Sequence, residues 1–359
     1  MYSVDAELQG VRRGGIWSLA GLCVLLCVGL WPPGATAEPA PVPVFDLHVD
    51  LSYQVNYKQR ALDRGRGRYL ARDLLRSGVS SVVLPLYIPR NASPKGPLMK
   101  HLLESHSVMR RGLARTAPYA ATGCQGQPVE THFAFEGAAP LGRKLKSVEQ
   151  WVKRGVSIFG LIHVYDNELG ASSTERRAKP NDHGLTRRGK ELVRRVHARG
   201  GVIDVSHMSK NATADVLQQA EAAGVPVIAT HSNAYALAPH HRNLTDAQLR
   251  RIAKTGGLIG INFHSRFLLG GAGTATLSDV VRHVAHVVRI AGEEHVAIGS
   301  DFEGGIRPPT ALKDVRGFPK LAGALSAAGY SRATVRRIFH DNAQRVLCGK
   351  EARRGPDAL

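Results

Sequence analysis

The segment FDLHVDLSYQ, residues 45–54, sets Asp46, His48 and Asp50 at alternate positions of an apolar run. In an extended strand, residues i and i+2 face the same way, roughly 6.5–7 Å apart along the chain. His48 and Asp50 can therefore lean towards one ion, and a neutral imidazole with a carboxylate is an ordinary ligand pair for zinc and similar divalent metals. Asp46 sits one step deeper on that face; it reads first as a residue that orients a ligand and second as a ligand. Further candidates follow at the ends of later apolar runs: Glu136 in THFAFE, His163 in VSIFGLIHV, His207 in GVIDVSH, His231 in VPVIATH and Asp301 in HVAIGSD. Any one of the sixteen histidines, taken alone, reads as a packed core residue, and a lone H-x-D pair is a weak signal. The set carries weight because its members share one kind of position. His101, His106, His197, His283 and His286 fall on helical segments instead and read as surface or packing residues.

These ligands exceed what one tetrahedral site uses, so two metals are expected. Glu136, with two oxygens, suits a bridging place between them. A water shared by two ions roughly 3.5–4 Å apart loses a proton near neutral pH, which predicts hydrolysis of an activated carbonyl or phosphoryl bond.

Eight short β-branched runs supply the positioning elements: 44–50, 79–87, 131–136, 156–164, 201–207, 225–231, 257–263 and 295–301. Most are apolar on both faces, as strands of a covered parallel sheet are. Helical segments lie between them. One starts at Thr186 and ends at a glycine pair, one runs from Ser209 to Gly224, one spans LSDVVRHVAHVVRIAG, and YSRATVRRIFHDNAQRVL closes the chain. Alternating strands and helices predict an α/β fold, a TIM-type (β/α)8 barrel, in which the C-terminal strand ends form a single rim where catalytic residues are found. An open doubly wound sheet is the second reading; no glycine-rich phosphate loop follows the first strand.

Residues 1–37 read as a signal peptide. Arg12 and Arg13 precede an uncharged stretch whose centre is SLAGLCVLLCVGLW, and ATA at Ala35 to Ala37 offers a cleavage site. The stretch is nearly long enough to span a bilayer, so an uncleaved anchor is the second reading. Residues 38–43 form a stiff linker, 44–348 the catalytic domain and 349–359 a polar tail. An exported protein, periplasmic or secreted, is expected. The net charge of +19 suits attraction to anionic envelope polymers or acidic substrates, or simply an arginine-rich solvated surface. Basic residues are spread along the chain without aromatic interleaving, so nucleic acid is not an expected partner. Cys23 and Cys27 belong to the leader. An oxidising compartment would permit a disulfide between Cys124 and Cys348, but two separate small buried residues is the favoured reading. No cysteine spacing typical of a zinc site is present.

The chain resembles the membrane (renal-type) dipeptidases, zinc peptidases with a (β/α)8 barrel. The resemblance runs from about Phe45 to Leu347 and rests on DLHVDL, FAFEGA, IDVSHMS, PVIATHSNAYAL, HRNLTDAQL and VAIGSDFEGG. It implies that His48 and Asp50 bind one Zn2+, that His207 and His231 bind the other, and that Glu136 bridges them. It further implies that His163 stabilises the tetrahedral intermediate, that Arg242, with Asn243 beside it, holds the substrate's terminal carboxylate, and that Asp301 handles protons. Leu47, Val49, Asn233 and Glu303 depart from the family pattern, the last two bearing on substrate preference. Ala71 to Gly126 carries no motif that aligns.

The expected function is thus that of an exported two-zinc metallo-dipeptidase acting on small free dipeptides, including those with a C-terminal D-residue. A homodimer is compatible with this reading. The alternatives are a related metal-dependent amidohydrolase or esterase acting on another small amide or lactone, and a non-catalytic basic protein that binds the envelope.

Overall fold

The computed structural model describes residues 41–89, 97–124, 128–142, 144–174 and 182–349. The leader, the start of the linker and nearly all of the polar tail lie outside the described residues. Among those described, no helix is long and apolar enough to cross a membrane.

Among the described residues, nine strands form one all-parallel sheet: β1 Val44–Asp46, β2 Val79–Leu86, β3 Tyr119–Thr122, β4 Val129–Glu136, β5 Val156–Gly160, β6 Val202–Asp204, β7 Val227–Ala229, β8 Leu258–Ile261 and β9 Val296–Ile298. β2 pairs with both β1 and β4, and β1 pairs with β9, so β1, β2 and β4 to β9 close into the expected eight-stranded barrel. β3 was not among the eight expected strands. It lies beside the first half of β4, outside the closed ring. Its sequence, YAAT, is short and poor in β-branched residues, which leaves little strand signal.

The expected helices form between the strands. Thr186 and Ser209 cap Arg187–His197 and Lys210–Ala223 by accepting from the amides of Gly189 and Ala212. Leu277–Ala291 is capped by a Thr276–Asp279 capping box. The outward faces of the strands pack on these helices.

The barrel interior has its own apolar layer. Phe45, Leu47, Val83, Ala134, Ile158, Val202, Ile228, Leu258 and Ala297 meet there, and Ala343, Val346 and Leu347 of the last helix, Asn342–Cys348, plug it from below. The next residue of that plug corrects a sequence-based expectation. Cys348 is disulfide-bonded to Cys124, with a Cα–Cα distance of 5.6 Å. The pair is far apart in sequence, but the end of β3 and the final helix both reach the N-terminal end of the barrel, a proximity that cysteine spacing cannot reveal.

Candidate metal centre

Every strand that contributes a candidate stops at or just before it. Glu136 is the last residue of β4, while His163, His207, His231 and Asp301 follow β5, β6, β7 and β9 by two or three residues. The first strand is shorter than expected. It ends at Asp46, and the chain continues through an isolated bridge between Val49 and Phe302 to Asp50, which starts the helix Leu51–Lys58. His48 and Asp50 nevertheless remain neighbours, His48 Nε2 lying 3.8 Å from Asp50 Oδ2.

Glu136 is the centre of the cluster. Its Oε1 lies 2.9 Å from His207 Nε2, 3.4 Å from His48 Nε2, and 3.7 Å from both His163 Nε2 and His231 Nε2. His207 Nε2 and His231 Nε2 are themselves 3.0 Å apart. Burial raises the pKa of the Glu136 carboxyl; cationic charge at the positions of His163, His48 and His207 outweighs it and draws the group well below the usual carboxylate range, so the site favours an ionised Glu136 wherever positive charge is supplied. Burial pushes His163, His207 and His231 downward, towards the neutral form that can ligate a metal. Burial, together with the charges of Glu136 and Asp301, raises Asp50.

A hydrogen-bonded layer beneath the cluster went unread in the sequence. Thr230 Oγ1 donates to Asp204 Oδ2 at 2.6 Å, which leaves its lone pairs for His231 Nδ1 at 2.8 Å and His48 Nδ1 at 3.2 Å. Asp204 Oδ1 in turn accepts from Ser206 Oγ and from the amides of Ser206 and Thr230. With Nδ1 protonated in both rings, each Nε2 presents a bare lone pair to the Glu136 carboxylate. Acceptors facing acceptors are repulsive unless a cation stands between them. His48 Nε2 and Asp50 Oδ1 are buried without any hydrogen-bond partner. Two groups, His48–Asp50–Glu136 and Glu136–His207–His231, each bring their donor atoms within 4.8 Å of one another. The residues present therefore fit divalent metal. Asp46 faces away from this centre. It accepts from Ser300 Oγ at 2.5 Å, Ser300 N at 2.9 Å and His48 N at 3.3 Å, and so fixes the main chain that carries His48.

Asp301 takes a left-handed backbone conformation, φ +61°, and Glu303 another at +69°. Strain of this kind persists only where the surroundings impose it. Gly304 is part of that imposition: a Cβ there would collide with Asp50 Oδ2 and Asp301 Oδ1. The Asp301 carboxylate accepts from Asn262 Nδ2 at 2.9 Å, and burial lifts its pKa to about 6. Glu303 turns towards the loop before it in space, accepting from Tyr69 N at 3.0 Å and from Arg68 N, with Arg60 3.8 Å away.

Arg242 is buried beside the histidines. Its Nη2 donates to the His231 carbonyl at 3.4 Å and lies 3.4 Å from His207 Nε2, while Nη1 has no partner. Burial lowers its pKa to about 10. Asn243 is placed differently. Its amide donates to the carbonyls of Ala238 and Phe267, at 2.8 and 2.7 Å, and braces the loop that presents Arg242. A cleft opens at the cluster between Tyr87, Leu98, Glu136, His163 and Tyr165. His163 lines its lip, with 31% of its side chain exposed, and Tyr87 packs edge-on against it.

Comparison with known proteins agrees with this geometry. The model of the membrane dipeptidases, peptidase family M19, matches residues 39–355. An uncharacterised Klebsiella pneumoniae protein from the pqqA 5′ region is 37% identical over 255 residues, covering 70% of this chain and 92% of the relative. The crystal structure of dipeptidase AC, a family M19 metallopeptidase, superposes with a TM-score of 0.73 at 26% identity, covering 86% of this chain and 99% of the other. A Rhodobacter sphaeroides metallopeptidase, solved with a phosphinate mimic of L-Ala-D-Ala, gives 0.72 at 26% identity with the same coverage.

Proposed function

The chain belongs to the membrane dipeptidase family, whose members are metallo-dipeptidases with a TIM barrel, and we propose that it hydrolyses free dipeptides with the help of two zinc ions. The observation that carries this reading is the convergence of four imidazoles on the Glu136 carboxylate, with a buried, half-unpartnered guanidinium beside His207 and His231.

In this reading His48 and Asp50 would hold one ion, His207 and His231 would hold the second, and Glu136 would serve both. The ions, when bound, supply the Lewis acidity that brings a water towards deprotonation and polarises the scissile carbonyl. The remaining work falls to side chains. Arg242 offers its unpartnered Nη1 to the substrate's terminal carboxylate, a match of fork to carboxylate that fixes the register of the peptide bond. Asn243 keeps the Arg242 loop in place. His163, at the lip of the cleft, donates to the carbonyl oxygen as it gains negative charge. Asp301, with a pKa lifted towards neutrality, takes the proton of the attacking water and passes it to the amine nitrogen as the C–N bond breaks.

Dipeptides ending in a D-residue are included among the substrates. The support is the L-Ala-D-Ala mimic held by the Rhodobacter sphaeroides protein. Export to the periplasm or beyond is proposed from the sequence of residues 1–37.

Zinc-loaded protein assayed on a panel of L,L and L,D dipeptides tests the reading. Turnover is expected with free dipeptides, close to two metals per chain. Hydrolysis of other amides or lactones with no dipeptide turnover would overturn it. The carboxylate clamp has its own measurement. Arg242→Ala should lower kcat/KM for a free dipeptide about 10- to 150-fold, the loss of one charge-assisted pair. It should leave the amide of the same dipeptide nearly unaffected; an unchanged acid-to-amide ratio would show that Arg242 does not read the terminus.

A further inference from the structure

A second group of metal-ligating side chains lies at the other end of the barrel. β4 alternates, so Glu130, His132, Ala134 and Glu136 share its inward face. Glu130 and His132 are both buried, and they sit beside the Cys124–Cys348 pair. One ligand atom from each of Cys124, Glu130, His132 and Cys348 lies within 4.8 Å of the other three. Tetrahedral zinc with its usual bond lengths needs ligand–ligand edges of about 3.3–3.8 Å, so Glu130 and His132 need approach only slightly, while the two sulfurs, bonded to each other in the disulfide, must part.

The polar members are more than a disulfide requires. His132 Nε2 is buried without a hydrogen-bond partner, 3.9 Å from Glu130 Oε2. Phe45 stacks on the His132 ring at a centroid distance of 4.9 Å and fixes its orientation. The Glu130 carboxylate is steadied by Ser81 Oγ at 3.3 Å. An unsatisfied imidazole nitrogen is costly in an apolar floor unless a partner is present in some state of the protein.

We propose that Cys124, His132, Glu130 and Cys348 form a redox-gated metal site that binds one zinc-like divalent cation when the disulfide is reduced. The two states exclude each other, because sulfurs bonded to one another cannot act as thiolate ligands. A dithiol reductant supplies two electrons and two protons: the S–S bond breaks, two thiols form, and the reductant becomes a disulfide. Binding of the cation then releases both thiol protons to solvent. Either state ties the segment after β3 to the final helix, one by a covalent bond and the other by coordination. In a reducing compartment the ion does this, and in an oxidising one the disulfide replaces it.

Cobalt(II) is the probe, since the Glu136 cluster contains no sulfur and cannot give a thiolate charge-transfer band. Full-length protein is purified under a phosphine reductant, and alkylation with mass spectrometry verifies that Cys124 and Cys348 are free. Adding cobalt should produce the near-ultraviolet thiolate-to-cobalt band, and zinc analysis should find one more ion per chain than in the oxidised protein. Cys23→Ser/Cys27→Ser should keep the band, Cys348→Ser should weaken it, and Cys124→Ser/Cys348→Ser should lose it. His132→Gln should weaken cobalt binding at this site at least tenfold while still forming the disulfide on oxidation, which separates loss of a ligand from misfolding. A verified reduced protein without the band, or a band that persists undiminished in Cys124→Ser/Cys348→Ser, would overturn the proposal. Dipeptidase activity, read in parallel, reports on the other end of the barrel alone.

Discussion

At one end of β4, Glu136 faces four imidazoles; at the other, Glu130 and His132 face a disulfide, separated from Glu136 by the apolar layer around Ala134. The two ends use the same residue types on the same face of one strand. They differ in what surrounds them. The upper end lies at and just beyond the strand ends, where loops can bring side chains from six strands together and leave an opening. The lower end is plugged by a helix and cross-linked. The contrast teaches that residue type names the available chemistry, whereas position along the strand decides whether a small molecule can reach it. It also predicts that damage above should cost turnover, and damage below should cost stability.

The largest effect should come from above. Asp301→Asn should keep the metals and the fold yet lose roughly 10²–10⁴-fold in kcat, the usual contribution of a positioned acid–base group. Wild-type turnover in this variant would make Asp301 a structural residue. Below, Cys348→Ser should lower unfolding free energy by about 2–4 kcal/mol in chemical denaturation, because it reopens a loop spanning most of the chain, with dipeptide turnover unchanged. A loss of turnover would join the two ends that the contrast separates. Smaller again is Thr230→Val. It removes the hydroxyl that both His48 and His231 use, and should weaken metal affinity about 10- to 100-fold with little change in melting temperature.

The smallest effect belongs to neither end. His106, His197 and His283 are buried among the outer helices, and burial lowers each to a pKa of about 4. The unfolded chain, with histidines near 6.5, therefore takes up protons first, so stability falls as pH drops from about 6.5 towards 4. Between pH 7 and pH 6 the loss should stay below about 1 kcal/mol for each of the three. Denaturation midpoints at the two pH values measure it; a midpoint that rises at pH 6 would refute the assignment.

The barrel and its rim were legible because both follow from alternation. Apolar runs ending in His, Asp or Glu mark strands and their C-terminal ends without any long-range information. His48, Glu136, His207 and His231 met where that rule put them. What the sequence hid was contact between distant segments. Thr230 looks like one polar residue in an apolar run, and only the approach of β6 to β7 makes it the link between Asp204 and two imidazoles. Asn243 follows Arg242 in a motif, yet main-chain carbonyls 5 and 24 residues away claim its amide. The disulfide escaped for the same reason: 224 residues separate its halves.

The plug under the barrel has a consequence for synthesis. Val44 to Asp46 is among the first segments of the domain to be made, and its neighbour in the ring, Val296–Ile298, is among the last. The floor of the ring is then filled by Ala343, Val346 and Leu347, later still. A nascent chain can build helices and neighbouring strand pairs as it emerges, but it cannot seal its interior until almost every residue has left the ribosome, because ring closure must wait for its most distant contacts. The final helix therefore acts as a completion signal: a chain cut short before Ala343 retains every candidate metal ligand of the rim and lacks the floor beneath them.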